Sequence, residues 1–158
     1  MKNNLKAFLD MIAVSELGEG LLADSDNGYN VIVGSTIKNP IFFTSYADHP
    51  RRLVELKIKG KVIKSTAAGR YQLLSRYFDA YKKTMALPDF SPSSQDAIAI
   101  QQIQERRALP DIEAGRFAIA VIKVCNIWAS MPGAGYGQRE NTLKQLQLTY
   151  LKAGGRLA

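Results

Sequence analysis

A helix-period apolar face made of Leu5, Phe8, Leu9, Ile12 and Ala13 runs into Ser15-Glu16 and then into Gly18 and Gly20. Apolar side chains three and four residues apart line one side of a helix, and that side has to be covered by other elements. The two glycines stop the helix. Such a chain begins with a helix packed into a body, and its last turn carries a carboxylate. Glu16 stands between Val14 and Leu17. Apolar neighbours strip water from a carboxyl group, and desolvation raises its pKa. An acid still protonated near neutral pH can donate a proton to a leaving group. On pattern alone, a solvated glutamate at a helix end fits the same residues.

The chain has 158 residues, which predicts a single domain spanning 1–158 with a core of its own. One cysteine, Cys125, allows no internal disulfide, and its apolar surroundings favour packing over nucleophilic chemistry. With a single histidine as well, the ligand set of a tetrahedral zinc site is missing, so no metal is expected. The N-terminal apolar run is broken by Asp10 and has no small-residue cleavage site, and no window reaches membrane-spanning length. A cytosolic product without stable membrane insertion is expected. The net charge of +7 favours a polyanionic partner: nucleic acid, an anionic membrane surface or a cell-wall polymer. Nucleic-acid binding calls for a clustered basic helix or a set of base-stacking aromatics, and neither pattern is present.

Beyond Gly20 the polar run Asp24-Ser25-Asp26-Asn27-Gly28 predicts a turn, followed by short strands over 29–34 and 41–44. Residues 57–64 alternate lysine with apolar side chains around Gly60, the pattern of an exposed basic ribbon. From Gly69 the chain turns helical. Leu73, Leu74, Tyr77, Phe78 and Tyr81 form one apolar stripe, and Ser91-Pro92 caps a helix carrying Ile98, Ile100 and Ile103. Leu109-Pro110-Asp111 opens a short helical turn. Residues 117–128 are apolar nearly all round and predict a central buried helix. A glycine loop over 132–137 follows, then an amphipathic helix with Leu143, Leu146 and Tyr150 that ends at Gly154-Gly155. The expected class is α+β, a mainly helical domain with a small antiparallel sheet.

Three glycine-bearing stretches stand beside polar or aromatic residues: the Glu16 turn, residues 65–72 and residues 132–138. None fits a phosphate loop, because no Walker lysine is present and Gly133-Ala134-Gly135 lacks the downstream glycine of a dinucleotide fingerprint. Taken in order with the predicted sheet, these stretches resemble the lambda-type endolysins of bacteriophages, lytic transglycosylases of the lysozyme-like fold. The resemblance is carried by Lys6-Ala7-Phe8-Leu9-Asp10-Met11 with Ser15-Glu16, Val31-Ile32-Val33-Gly34 and Asp48-His49-Pro50-Arg51. It continues through Gly69-Arg70-Tyr71-Gln72-Leu73-Leu74-Ser75-Arg76, Asp89-Phe90-Ser91-Pro92, Asn126-Ile127-Trp128-Ala129-Ser130 and Pro132-Gly133-Ala134-Gly135-Tyr136-Gly137-Gln138. These segments span nearly the whole chain.

The resemblance implies a lysozyme-like catalytic domain with a cleft beside a small sheet, acting on peptidoglycan strands. It implies cleavage of the β-1,4 bond between N-acetylmuramic acid and N-acetylglucosamine without water, leaving a 1,6-anhydro sugar. One glutamate serves first as acid and then as base, and the match places it at Glu16, with Glu19, flanked by Gly18 and Gly20, as the rival. No cofactor is implied. Ser15, Tyr71, Gln72, Tyr136 and Gln138 are the implied substrate-binding residues, with amides suited to N-acetyl and hydroxyl groups and aromatic rings suited to sugar faces. The ribbon over 57–64 would form one lip of the cleft and the glycine loop the other. A monomer stored in the host cytoplasm and released to the cell wall by a holin is implied too.

Some positions depart from that family. Asn27 and Asn141 stand where its members carry histidines, Val14 stands where they carry tryptophan, and residues 35–40 form a longer segment. His49 matches, and the mechanism needs no imidazole, so it is expected to brace its loop. A hydrolytic lysozyme would need a second carboxylate, for which Asp24, Asp26 and Asp48 are available. The T4-type phage lysozymes place an aspartate and a threonine where this chain has Ser25 and Val31, so that pattern fails. A catalytically silent wall-binding protein is the alternative from another class.

Overall fold

The computed structural model describes residues 3–137 and 139–158, so Gln138 lies outside the described residues. The elements run α1 (Asn3–Asp24), β1 (Val54–Ile58), β2 (Lys61–Ser65), α2 (Ser75–Thr84), α3 (Pro92–Glu105), α4 (Leu109–Glu113), α5 (Phe117–Val124) and α6 (Leu143–Lys152). Six helices and one two-stranded sheet among the described residues are the expected α+β class. The chain divides into two compact units, Met1–Glu16 with Ala99–Ala158, and Leu17–Ile98.

In the first unit, Leu5, Phe8, Leu9, Ile12 and Ala13 on α1 are buried, as the apolar period predicts, and Met11, outside that period, is buried with them. Phe8 meets Phe117 and Tyr150 edge-on at ring-centroid distances of 6.1 and 6.4 Å, and Phe117 lies 4.9 Å from Tyr150. Burying each such ring contributes about 2 kcal/mol through apolar area alone. Asn4 ties the start of α1 to the chain's end, its Nδ2 donating to the carbonyls of Ile112 and Arg156. Asp111 is buried on α4 and takes Arg116 Nε at 2.8 Å and Lys123 Nζ at 2.5 Å. Those two cations, Lys123 first, hold its carboxyl below the usual range.

Residues 117–128 do not form one buried helix. α5 ends at Val124, and Ile119 and Ile122 are 46% and 70% exposed. Phe117, Ala120, Val121 and Val124 alone face inward, because a helix of eight residues buries one side. The last helix follows its prediction at Leu146 and Tyr150, which are buried, while Leu143 in its first turn is 38% exposed. Thr142 and Gln145 form a reciprocal capping box at its start.

The second unit is built on Ala68, Leu73, Phe78, Phe90 and Ile98, with Phe43 and Tyr81 packed against them. β1 and β2 form the predicted ribbon, extended to pair Val54 with Ser65 and turning at Lys59-Gly60, both at positive φ. The strands expected over 29–34 and 41–44 reduce to an isolated bridge between Val31 and Phe42. Ile32 N–H donates to the Ile41 carbonyl and Phe43 N–H to the Asn30 carbonyl, but the ladder goes no further. Ile32 bridges Ala68 instead, and Gly69 N–H donates to the Val31 carbonyl, so the segment is spent on a loop rather than a sheet. α2 also begins later than its apolar stripe. Leu73 and Leu74 precede it, Phe78 is buried and Tyr77 is 47% exposed.

Helix α1 does not end at the glycines. Gly18 takes φ 80° and ψ 155°, and the helix resumes beyond it as far as Asp24. Only glycine enters that region without strain, so a break is encoded at this position. Glu16 sits in the last turn before the break.

Candidate active site

Glu16 is half-buried, following the sealed turn Met11-Ile12-Ala13. Its Oε1 accepts the Ser130 hydroxyl at 2.8 Å, and the Ser130 main-chain N–H also bonds the carboxyl. Burial is the dominant influence and lifts the group to about 7, against the pull of both Ser130 bonds toward ionisation. Among the described residues no charged side chain contributes to that shift. The carboxyl is thus poised by dehydration, near the pH at which it can both give and take a proton.

Ser130 is presented by the turn after α5, between buried Trp128 and buried Met131. Its Oγ lies 2.8 Å from Ser15 Oγ. Asn141 Nδ2 donates to Ser15 Oγ at 3.0 Å, and Asn141 N–H donates to the Ser130 carbonyl at 2.8 Å. Ser130 is thus the side chain that bonds Glu16, and Ser15 and Asn141 are linked to it in turn. Ser15, expected as a substrate contact, directs its hydroxyl to Ser130 and Asn141. Glu19 is exposed beyond the helix break.

The glycine loop over 132–137 belongs to the same unit. Gly133, Gly135 and Gly137 all adopt positive φ, and the Gly133 and Gly135 N–H groups donate to the two oxygens of Glu140 at 3.0 and 3.1 Å. Tyr136 anchors through its hydroxyl, which donates to the Asn126 carbonyl at 2.5 Å, while the side chain stays 55% exposed. An exposed ring on a pinned loop suits the face of a sugar.

Tyr71 and Gln72 lie in the second unit. Tyr71 is buried, and its hydroxyl donates to Asp96 Oδ1 at 2.7 Å, an oxygen it shares with the Tyr29 hydroxyl at 2.9 Å. Burial and then the Asp96 charge push both phenols up, Tyr29 to about 12, so both remain hydrogen-bond donors. The Arg70 guanidinium stands 5.3 Å from the Tyr29 ring and 5.9 Å from the Tyr71 ring, and Nη1 donates to the Asn27 carbonyl. Gln72 sits at φ 50°, and its Nε2 donates to the Gly69 carbonyl at 2.9 Å. That bond orients the half-buried amide.

His49 braces its loop. Nδ1 accepts the Arg51 N–H at 3.0 Å, which leaves the proton on Nε2 to donate to the Leu73 carbonyl at 2.8 Å. Two of the aspartates available for a hydrolytic mechanism are engaged within this unit. Asp26 Oδ2 accepts the Tyr46 hydroxyl at 2.5 Å, and Asp48 pairs with Arg51, which also grips Asp79. Asp24 is exposed at the end of α1. Sequence reasoning assigns no role to Ser130, Glu140 or Asp96. The signal at Ser130 is a hydroxyl directly after an apolar run and two residues before Pro132-Gly133.

Among the described residues, no helix is long and apolar enough to cross a membrane, and no cluster of three histidine, cysteine or acidic side chains is placed to hold a metal ion. The family model described as Endolysin matches residues 6–157. The endolysin of Escherichia phage lambda is 53% identical over 156 residues, covering 98% of this chain and 94% of that protein. The endolysin of Escherichia phage P2 is 50% identical, covering 96% of this chain and 93% of its own. The structure of bacteriophage lambda lysozyme complexed with a chitohexasaccharide superposes with a TM-score of 0.91 at 52% identity, over 100% of this chain and 98% of that one. A second structure of the lysozyme from bacteriophage lambda gives 0.85 at 50% identity, with the same coverage.

Proposed function

The chain belongs to the endolysin family, and we propose that it degrades bacterial peptidoglycan for host lysis as a lytic transglycosylase, with Glu16 as its acid and base. The observation that carries this reading is a carboxyl that burial lifts to about 7 and that Ser130 bonds at 2.8 Å, with no charged partner among the described residues. Such a group is protonated often enough to act as an acid and becomes a competent base once it has lost the proton. The lysozyme relative solved with a chitohexasaccharide supports a glycan substrate.

In the proposed reaction the protonated Glu16 donates to the glycosidic oxygen as the bond from that oxygen to the muramyl C1 breaks. The muramyl C6 oxygen attacks C1, and the Glu16 carboxylate takes the C6 hydroxyl proton. The products are a free sugar hydroxyl and a 1,6-anhydro ring, and the acid is regenerated without a water. Tyr136 and Gln138 from the glycine loop, with Tyr71 and Gln72, are proposed to bind the glycan, and the two units to act together as one catalytic domain over 1–158. The engagement of Asp26 with Tyr46 and of Asp48 with Arg51 speaks against either as a second carboxylate. The enzyme is proposed to wait in the host cytoplasm as a monomer until a holin opens the way to the wall, where its positive charge favours dwelling on an anionic polymer.

Mass spectrometry of muropeptides released from purified peptidoglycan tests the reaction, with Glu16→Gln as control. Products lighter by one water than hydrolytic ones, and absent with the variant, are expected. Reducing-end products would make the protein a hydrolytic muramidase. Undiminished release by Glu16→Gln would remove Glu16 from the chemistry.

A further inference from the structure

The polar cluster behind Glu16 has a direction. Asn141 Nδ2 can only donate, and it donates to Ser15 Oγ at 3.0 Å. Ser130 has one hydroxyl proton, and it goes to Glu16 Oε1 at 2.8 Å. With that proton given to Glu16, Ser130 Oγ can only accept across its 2.8 Å contact with Ser15, so the Ser15 hydroxyl is the donor there. The donors therefore run one way, from amide to hydroxyl to hydroxyl to carboxyl. The Asn141 end of the chain is held by the main chain as well, since Asn141 N–H donates to the Ser130 carbonyl and Asn141 Nδ2 also reaches the Ser15 carbonyl at 3.3 Å.

We propose that Asn141, Ser15 and Ser130 are positioning residues whose one-way hydrogen bonds hold Glu16 Oε1 as an acceptor and leave the acidic proton to Oε2. This inference rests on Glu16 being the acid of the reaction above. An oxygen that accepts a good hydrogen bond is the carbonyl-like oxygen of the neutral acid, so the proton sits on the other one. Because the chain ends in an amide that cannot ionise, it stabilises the carboxylate without offering the proton a way out. The hydroxyl bonds strengthen one another when aligned, so a loss at Asn141 is felt at Glu16, three hydrogen bonds away. The causes of the Glu16 shift agree: burial raises it, and the Ser130 bonds oppose burial, with no charge among the described residues involved.

The test reads the titration of the Glu16 carboxyl in substrate-free protein by carbon NMR, with its signal assigned through its loss in Glu16→Gln. Ser130→Ala should raise the midpoint by about one unit, and Ser15→Ala and Asn141→Leu by a few tenths each, while Ser130→Thr and Ser15→Thr stay near the parent value. The alkaline limb of wall-clearing activity should move by the same amounts. If Asn141→Leu fails to fold, the pair Ser15→Ala and Ser15→Thr decides alone. An unmoved midpoint in Asn141→Leu or in Ser15→Ala overturns the proposal, because the chain would then start at Ser130. The chemistry of the released sugars judges the transglycosylase reading separately, since the titration involves no product.

Discussion

Ser130 donates its hydroxyl to Glu16 Oε1 at 2.8 Å, joining positions 114 residues apart in the chain. The bond opposes the burial that lifts the carboxyl to about 7. Without the Ser130 donors the acid would hold its proton too tightly to recover a working base form at neutral pH. Without the burial it would be ionised before substrate arrived. The balance between these effects is the source of the first two predictions.

Protonated Glu16 is the form that starts the proposed cleavage. Its fraction falls tenfold per pH unit once the pH exceeds the carboxyl midpoint. The kcat/KM for soluble glycan strands should therefore be flat on the acid side of that limb and drop with unit slope above about pH 7. Initial rates across pH 5–9 check this. A limb below about pH 5 would mean that the group behaves as an ordinary carboxylate.

The same shift makes Glu16 a burden on stability. Its folded-state midpoint of about 7 lies above the ordinary 4.5, so between those values the folded chain holds a proton that the unfolded chain has released. Stability contributed by the neutral acid is intact below about 4.5 and is lost as the pH rises through 7. At 1.36 kcal/mol per unit the full cost is up to about 3 kcal/mol. Glu16→Gln keeps an acceptor for Ser130 and removes the charge. It should abolish activity and raise the melting temperature at pH 8 while leaving it nearly unchanged at pH 4. A gain that does not grow with pH would contradict the burial of this carboxyl.

Glu140 holds the glycine loop rather than the acid. Its two oxygens take the Gly133 and Gly135 N–H groups, while the next residue, Asn141, bonds Ser15 and Ser130. Three glycines at positive φ give this loop many unfolded alternatives, so pinning matters. Glu140→Ala should speed hydrogen exchange at the Gly133 and Gly135 amides and raise KM severalfold. As Glu140 is exposed, the stability loss should stay near 1 kcal/mol. The pH profile should keep its alkaline limb, because Glu140 does not enter the Glu16 shift.

The sequence makes Glu16 visible because a helical period leads into it and glycines follow, and both signals are local. The basic ribbon is visible for the same reason, since alternation around Gly60 needs only its own strand pair. Residues 29–34 and 41–44 mislead because β-prone side chains satisfy their backbone elsewhere, Ile32 against Ala68 and Gly69 against Val31. The end of α5 misleads because apolar composition cannot tell which side of a short helix will be covered, and Ile122 is left outside. Ser130 is invisible as a partner of Glu16. Its role depends on where α5 and the following turn bring it, and no pattern within its own segment encodes that.

His49 supplies a pH dependence of opposite sign. The ring is buried against Phe78 and Phe90, with centroids 5.8 and 4.8 Å away, and Nδ1 accepts the Arg51 N–H. Burial holds it below its ordinary 6.5, the Leu73 bond opposes this, and the nearby Arg51 charge adds to the lowering while Asp48 and Asp79 resist it. Below about 6.5 the unfolded chain takes up a proton that the folded ring refuses, so stability is lost as the pH falls from there toward the folded midpoint. Protonation would also set an Nδ1–H against the Arg51 N–H. His49→Ala should cost about 3 kcal/mol at pH 7, from a cavity between two phenyl rings and two lost hydrogen bonds. The cost should shrink as the pH falls from 6.5 toward 5, since the parent loses there what the variant has already lost. Paired thermal melts of parent and variant from pH 5 to pH 8 measure it, and a difference that widens toward pH 5 would mean that the folded ring welcomes the proton.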